Sequence, residues 1–233
     1  MSDHFKNIYI HEADRYDLLV SREDHQQNIL PALESIRSLA GCDVVEMGAG
    51  TGRLTRLLVP HVKSIRAYDA SAHMLSKAKA TLEAIGRTNW ALAVGENHDL
   101  PAADAIADIA IAGWSFGHCC GWFPERWCEE ISQALREMNR VLRPGGTAII
   151  LETLGTGLET PLPPNDALAA YYDWLESEQG FSATSIRTDY RFASAQEADE
   201  LTRFFFDEEF ANCFLDDKRE ILPECTGIWW KAF

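Results

Sequence analysis

The sequence lacks a net positive charge and a long apolar run, and each absence excludes a class of protein. Lysine and arginine number 21 against 36 aspartate and glutamate residues, which gives a formal net charge of -15. A nucleic-acid backbone or an anionic membrane surface would repel such a chain. No apolar stretch approaches the roughly 20 residues that a membrane-spanning helix requires. We therefore expect neither a nucleic-acid partner nor a membrane partner.

Paired cysteines and a secretory leader are also missing. The six cysteines stand at 42, 119, 120, 128, 213 and 225, with no Cys-x-x-Cys spacing. They predict no zinc site and no disulfide framework, although a metal or thiol role for Cys119 and Cys120 beside His118 stays open. The amino terminus, MSDHFKNIYIHEADRYD, carries acids where a signal peptide needs a basic segment and then an apolar one. The expected location is the cytoplasm, and the expected metal content is none.

Short apolar runs alternate with helical segments as far as Glu152. The runs predicted as strands are residues 43–47, 64–69, 90–94, 107–113 and 147–152. Strands that are apolar throughout and separated by helices are typical of a parallel sheet covered on both faces. The segments TSIRTDYRF and TGIWWKAF are predicted as antiparallel strands at the end of the chain. The prediction is an α/β fold with a doubly wound, mostly parallel seven-stranded sheet and a C-terminal antiparallel hairpin.

Three glycines stand between the first strand and the first helix of this pattern, in VVEMGAGTGRLTRLL (44–58). Such a turn lets a ligand approach the backbone and the free amides of the helix. Arg53 and Leu54 stand where a triphosphate loop needs Lys and Ser or Thr, and Arg53 also replaces the last glycine of a dinucleotide loop. Glu46, two residues ahead of the glycines, would repel a diphosphate but attract an ammonium group. S-adenosylmethionine carries an ammonium and a sulfonium and no phosphate.

Five segments in this order give the chain a resemblance to the class I, seven-stranded S-adenosylmethionine-dependent methyltransferases, and most to their small-molecule branch. They are VVEMGAGTGRLT, AYDAS with the following HML, GENHDLP, ADIAIAGWSFGH and LREMNRVLRPGGTAII, between about Asp43 and Glu152. The resemblance implies a single domain over residues 1–233, divided into an N-terminal helical lid (1–40), a cofactor-binding half (41–153) and an acceptor-side half (154–233). We predict that the lid contains one or two helices.

The resemblance also implies which residues hold the cofactor. Glu46 and the glycine loop would hold its amino-acid end; the loop residues are Gly48, Ala49, Gly50 and Gly52. Asp69, about twenty residues further on, would bind the ribose hydroxyls, with Ala70 beside it. A helix N-cap is the alternative for Asp69, and a solvated strand end is the alternative for Glu46.

Three further positions complete the implied cofactor site. Met74 would pack on the adenine, although an ordinary core methionine is the alternative. Glu96 would accept from the adenine amino group while the Asn97 amide meets a ring nitrogen, and Asp99 is the alternative to Glu96. Trp114 would line the pocket where the methionine end and the substrate meet, or would fill the core.

The residues that contact the acceptor follow from no transferable motif. His118 is the candidate general base, because imidazole titrates near neutrality, and a structural histidine is the alternative. Candidate substrate contacts are Tyr16 on the lid, the aromatic residues Phe116 and Trp122, and Arg187, for which a structural ion pair is the alternative. Aromatic density here would suit a flat or cationic acceptor, or plain packing.

These observations predict a methyltransferase that uses S-adenosylmethionine, releases S-adenosylhomocysteine and methylates a small-molecule acceptor by in-line displacement. Two other functions stay open: an NAD-dependent oxidoreductase, and a protein that binds S-adenosylmethionine without catalysis. The expected oligomeric state is a monomer or a homodimer.

Overall fold

The computed structural model describes residues 2–206, 208–215 and 220–233. Its helices are α1 (Ser2–His11), α2 (Ala13–Val20), α3 (Ile29–Ile36), α4 (Arg53–Leu58), α5 (Ala72–Glu83), α6 (His118–Trp122), α7 (Trp127–Val141), α8 (Asp166–Ser177), α9 (Ala195–Phe205) and α10 (Glu208–Leu215). Its strands are β1 (Asp43–Met47), β2 (Ser64–Asp69), β3 (Trp90–Val94), β4 (Ala107–Gly113), β5 (Leu142–Thr156), β6 (Ser182–Arg187), β7 (Tyr190–Arg191), β8 (Ile221–Leu222) and β9 (Glu224–Ala232). No helix within the described ranges has the length and apolar character needed to cross a bilayer.

The main sheet has seven strands in the order β3-β2-β1-β4-β5-β9-β6. β1 to β5 pair in parallel, and β9 runs antiparallel between β5 and β6. The predicted α/β fold, with its mostly parallel sheet and antiparallel end, is confirmed. The strand order reverses between β1 and β4, and the carboxyl ends of strands at such a point bound a crevice.

Helices cover both faces of the sheet because neighbouring residues of each strand point to opposite sides. On one face, Val45 and Ala110 pack with α7 residues such as Ile131 and Met138. On the other face, Val44 packs with side chains of α3, α4 and α5. The apolar character of the central strands therefore has the expected cause, which is burial on both faces.

The amino-terminal segment differs from the predicted lid. It forms three helices, and only α1 and α2 place side chains at the cleft. Ile29 and Leu33 of α3 are fully buried against the second face of the sheet. The apolar spacing of ILPALESI thus makes α3 part of the core, because its apolar face is covered by strands.

Three local details also depart from the predicted elements. The structure has a short helix, α6, in the aromatic stretch after β4, where no element was predicted, and β5 begins at Leu142 rather than at residue 147. The segment TSIRTDYRF divides into β6 and β7 at Thr188 and Asp189. Asp189 causes the break, because its Oδ1 accepts from the Glu224 amide and from Arg187.

The described residues between β6 and β9, which are 188–206, 208–215 and 220–223, form a small unit beside the sheet. β7 and β8 pair in a two-stranded sheet, and α9 and α10 pack on it around Phe192, Leu201 and Phe214. Leu19 of α2 belongs to the same apolar cluster. The second lid helix is therefore fixed to this unit as well as to the cofactor-side helix α5, which it reaches through the Asp14–Lys77 ion pair.

Candidate active site

A cavity of about 400 Å³ lies at the carboxyl ends of the parallel strands. Most of the residues predicted for the site line it: Tyr16, Glu46, Gly48, Ala49, Gly50, Asp69, Ala70, Met74, Glu96, Asn97, Trp114, Phe116, His118 and Trp122. Gly52 and Arg187 do not. The cavity size is within the range of small-molecule sites, which is roughly 300–1,000 Å³.

The glycine loop lies against the β4 edge of the cavity. Gly48 has φ of 69°, and a Cβ added there would lie 2.0 Å from Ser115 Oγ. Only glycine fits such a position, because both the backbone angle and the space forbid a side chain. Gly52 serves packing instead: a Cβ there would lie 3.1 Å from the Ala78 Cβ on α5. The loop therefore presents bare backbone to the cavity through Gly48, Ala49 and Gly50.

Asp69 ends β2 and holds the loop in place. Its Oδ2 accepts from the Gly50 amide and its Oδ1 from the Ser71 amide, each at 2.8 Å. The N-cap of α5 is Ser71, whose hydroxyl accepts from the Met74 amide, so Asp69 is not that cap. Burial raises the pKa of Asp69, and the two amides oppose that effect.

Glu46 is a buried carboxyl that makes no ion pair with any residue in the described part of the chain. It is 2% exposed, and Thr55 donates to its Oε2 at 2.6 Å. Burial raises its pKa to about 8, and the nearby Asp69 adds to the shift. A cationic ligand group in the cavity would relieve this cost, because a neighbouring positive charge favours the ionised carboxyl.

The third strand brings Glu96 and Asn97 to the cavity. Glu96 lines the cavity and Asp99, its alternative, does not. Asn97 donates from Nδ2 to Ser115 Oγ at 2.9 Å, which joins the turns that follow β3 and β4. Met74 is 3% exposed and also lines the cavity, so it belongs to the core and to the site at once.

Trp114 takes an uncommon backbone conformation at the end of β4. Its φ is 52°, in the left-handed region that residues other than glycine rarely adopt. The Arg53 guanidinium lies 3.5 Å from the centroid of its ring, and Arg53 also pairs with Glu23 at 2.7 Å. Strained residues of this kind cluster at ligand sites.

His118 is buried in an aromatic setting. Its Nε2 shares a hydrogen bond of 2.9 Å with the hydroxyl of Tyr9, and its ring stacks on Trp122 at 5.0 Å. Burial lowers its pKa to about 4. His118 was predicted as a general base because a free imidazole titrates near neutrality. Burial lowers the pKa of this imidazole well below neutrality, so that argument no longer supports the role.

We expect the His118 ring to stay neutral from pH 6 to pH 8. Ring-nitrogen NMR spectra recorded across this range would follow it, with a His118→Asn variant to identify its signals. Constant ring-nitrogen shifts agree with the buried, uncharged ring. A titration midpoint between pH 6 and pH 7 would contradict it and restore the base role.

Arg187 lies away from the cavity. Its guanidinium makes two contacts with Asp189 and donates to the Glu159 carbonyl. The ion pair with Asp189 fixes the end of β6, so the alternative of a structural pair describes this arginine. Among the residues that the structure describes, no group of three or more His, Cys, Asp or Glu side chains is placed to hold a metal ion.

Several lining residues were not predicted from the sequence. Tyr9, Arg53, Ser115 and Glu130 all face the cavity. Arg53 follows the glycine loop directly, and Ser115 lies between two predicted residues, so proximity to a motif was the available signal for both. Tyr9 and Glu130 lie on helices α1 and α7 without a local motif, and only the tertiary fold brings them to the site.

Comparison with known proteins places these features in a family context. Residues 45–150 match the family model described as a methyltransferase domain. An uncharacterized protein, YafE, of Escherichia coli (strain K12) is 36% identical over 143 residues, which cover 61% of this chain and 60% of that protein. The ubiquinone/menaquinone biosynthesis C-methyltransferase UbiE of Rubrivivax gelatinosus (strain NBRC 100245 / IL144) is 31% identical over 150 residues, or 63% of this chain and 55% of that protein. The chain thus matches less than two thirds of the length of these relatives.

The fold itself recurs in solved structures. A SAM-dependent methyltransferase from Aquifex aeolicus superimposes with a TM-score of 0.56 at 15% identity, covering 88% of both chains. At this level of identity the likeness concerns the arrangement of helices and strands. It includes the parallel sheet whose carboxyl edge bounds the cavity.

Proposed function

We propose that the whole chain is an enzyme that transfers the methyl group of S-adenosylmethionine to a small-molecule acceptor. The match of residues 45–150 to the methyltransferase-domain model and the class I fold support this proposal. UbiE, one of its relatives, is a C-methyltransferase of quinone biosynthesis. The proposal for this chain depends on one observation, the juxtaposition of Glu46, the bare glycine loop and Asp69 around a single cavity.

The residues present fit the cofactor chemically. Glu46 is a carboxyl whose pKa is raised by burial, and the ammonium of the cofactor would favour its ionised form. Gly48, Ala49 and Gly50 line the cavity, so the loop offers backbone atoms to a ligand there. Asp69 keeps its carboxylate at the cavity, where it can accept from two ribose hydroxyls. Glu96 and Asn97 lie along the same wall, where the adenine would bind.

When bound, S-adenosylmethionine supplies an electrophilic methyl group. The contribution of the chain is alignment, which can account for roughly 7–11 kcal/mol of the barrier to transfer. Trp114, fixed by Arg53, and the lid residue Tyr16 enclose the space next to the loop. His118 remains uncharged and holds the Tyr9 hydroxyl, so it positions a lid residue rather than removing a proton.

A nicotinamide cofactor suits this site less well. Its diphosphate would lie at the loop beside Glu46, and a carboxyl there would oppose it. A protein that only binds S-adenosylmethionine needs no space for an acceptor. The cavity here extends past Trp114 to His118, Cys119 and Phe123, which favours an enzyme.

Calorimetry with three ligands tests the proposal. We expect S-adenosylmethionine and S-adenosylhomocysteine to bind with micromolar Kd values, corresponding to about -8 kcal/mol, and NAD to bind at least a hundredfold more weakly. The expected difference follows from charge, because the first two ligands bring an ammonium to Glu46 and the third brings a diphosphate. Tight binding of NAD, or no binding of S-adenosylhomocysteine, would overturn the assignment.

A further inference from the structure

The part of the cavity beyond the cofactor loop is lined by aromatic side chains. We define the acceptor chamber by Tyr9, Phe116, His118, Trp122 and Glu130, all of which line the cavity. The ring of Tyr9 meets that of His118 edge-on at 5.5 Å, and the stacked Trp122 ring lies nearly parallel to the His118 ring at 12°. Flat, apolar walls of this kind match a planar ligand group.

The chamber contains one carboxylate, and the arginine that pairs with it, Arg126, does not line the cavity. Glu130 is its one acidic member, with a side chain only 15% exposed and with Oε1 paired to Arg126 at 2.6 Å. Among the described lining residues, Arg53 is the one arginine or lysine, and it is already paired with Glu23 and stacked on Trp114. An acceptor with a carboxylate or phosphate would find no unpaired lysine or arginine among the described lining residues, whereas an ammonium group would share the Glu130 carboxylate with Arg126.

The chamber also lacks a group suited to deprotonating a hydroxyl. His118 is walled in by Tyr9 and Trp122, and burial lowers its pKa to about 4. Burial, with a contribution from Glu130, raises the pKa of Cys119 to about 11, so this thiol is protonated at neutral pH. A phenol would react as its anion, and Glu130 would oppose that anion. An amine is bound as its ammonium and reacts as the neutral molecule, after that ammonium has released a proton to solvent, so no base of the protein is required.

We propose that the acceptor is an amine carried on a planar apolar group, with its nitrogen beside Glu130 and its ring against Trp122 and Phe116. This inference rests on the proposed function. The nitrogen lone pair forms the new N–C bond while the electron pair of the C–S bond stays on sulfur, leaving a thioether. The methylated nitrogen is then an ammonium, and it leaves in that form or releases its proton to solvent.

Three probes with one ring and different head groups test the inference. Phenethylamine, 2-phenylethanol and 3-phenylpropionate are titrated at pH 7.5 into protein saturated with S-adenosylhomocysteine, and binding is followed by calorimetry. We expect phenethylamine to bind at least tenfold more tightly than 3-phenylpropionate, with 2-phenylethanol between them. Equal or tighter binding of the carboxylate, or no binding of the amine, overturns the inference.

A matched pair of variants locates the effect. Glu130→Gln should weaken phenethylamine binding at least fivefold and leave 2-phenylethanol within twofold of its original affinity. Glu129→Gln removes the same charge from the neighbouring exposed position, which does not line the cavity, and should change neither. An unchanged amine affinity in Glu130→Gln overturns the inference. If that variant does not fold, Glu130→Ala is tested in the same way and the ranking of the three probes on the unmodified protein decides.

The design separates this inference from the proposed function. S-adenosylhomocysteine is titrated first, before any probe. Failure of that titration removes the methyltransferase assignment, and the acceptor inference falls with it. Normal S-adenosylhomocysteine binding without the amine preference leaves the methyltransferase proposal in place and removes only the amine.

Discussion

Replacement of Asp69 by alanine is expected to weaken S-adenosylhomocysteine binding at least a hundredfold. Two ribose hydroxyls would lose a charged acceptor, at about 1.5–3 kcal/mol for each hydrogen bond. The change also removes the acceptor for the Gly50 and Ser71 amides, so the glycine loop loses its support from β2. We therefore expect the ligand-free protein to melt several degrees lower as well. Calorimetry and a thermal scan measure the two effects.

Asp99→Ala is the matched control for this experiment. Asp99 is an aspartate in the turn after β3, whereas Asp69 ends β2. Asp99 is exposed and does not line the cavity. Its removal should leave the affinity within threefold and the melting temperature unchanged. Affinity that survives in Asp69→Ala, or falls equally in Asp99→Ala, would show that Asp69 does not contact the ribose.

Replacement of Glu46 by glutamine is expected to lower S-adenosylhomocysteine affinity at least tenfold at pH 8. Glutamine keeps an oxygen for the Thr55 hydroxyl but cannot pair with an ammonium group. The ligand-free variant should be at least as stable as the original protein, because a buried carboxyl with a raised pKa is replaced by a neutral amide. Loss of affinity without loss of stability is the signature of a binding role.

The pH dependence of binding gives a second test of Glu46. In the free protein its pKa is about 8, so the carboxyl is mostly protonated at pH 7. A bound ammonium lowers that pKa, so binding releases about one proton at pH 7, and affinity rises with pH up to about 8. Calorimetry in two buffers of different ionisation enthalpy counts the proton. The Glu46→Gln variant should release none; an equal release in both proteins would assign the proton elsewhere.

Much of the cofactor half was predictable because its determinants are local. A strand, a turn and a helix in direct succession place Glu46, the glycines and Asp69 at one sheet edge, and the class I methyltransferase fold predicted from them is confirmed. Even here, the sequence could not separate Glu96 from Asp99. The backbone turn that pairs these two residues decides which of them faces the cavity.

The acceptor side was less predictable because its contacts span the chain. Tyr9 on α1 contacts His118 at the start of α6, and the two residues are 109 positions apart in the sequence. No spacing rule predicts a contact between these two helices. The protonation of His118 was missed for a related reason, since burial by Phe5, Tyr9 and Trp122 is a tertiary property. For Arg187, the sequence could not distinguish a basic strand face open to a substrate from an ion pair with Asp189, because the same residues are compatible with both.

The position of α1 and α2 has a consequence for how selectivity can change. Both helices precede residue 45, outside the matched domain, yet they supply Tyr9 and Tyr16 to the cavity. The residues proposed to bind the adenosyl donor follow strands of the sheet, whereas α1 and α2 lie outside the sheet. Changes in α1 and α2 would therefore alter which acceptor is methylated and leave the proposed cofactor site unchanged.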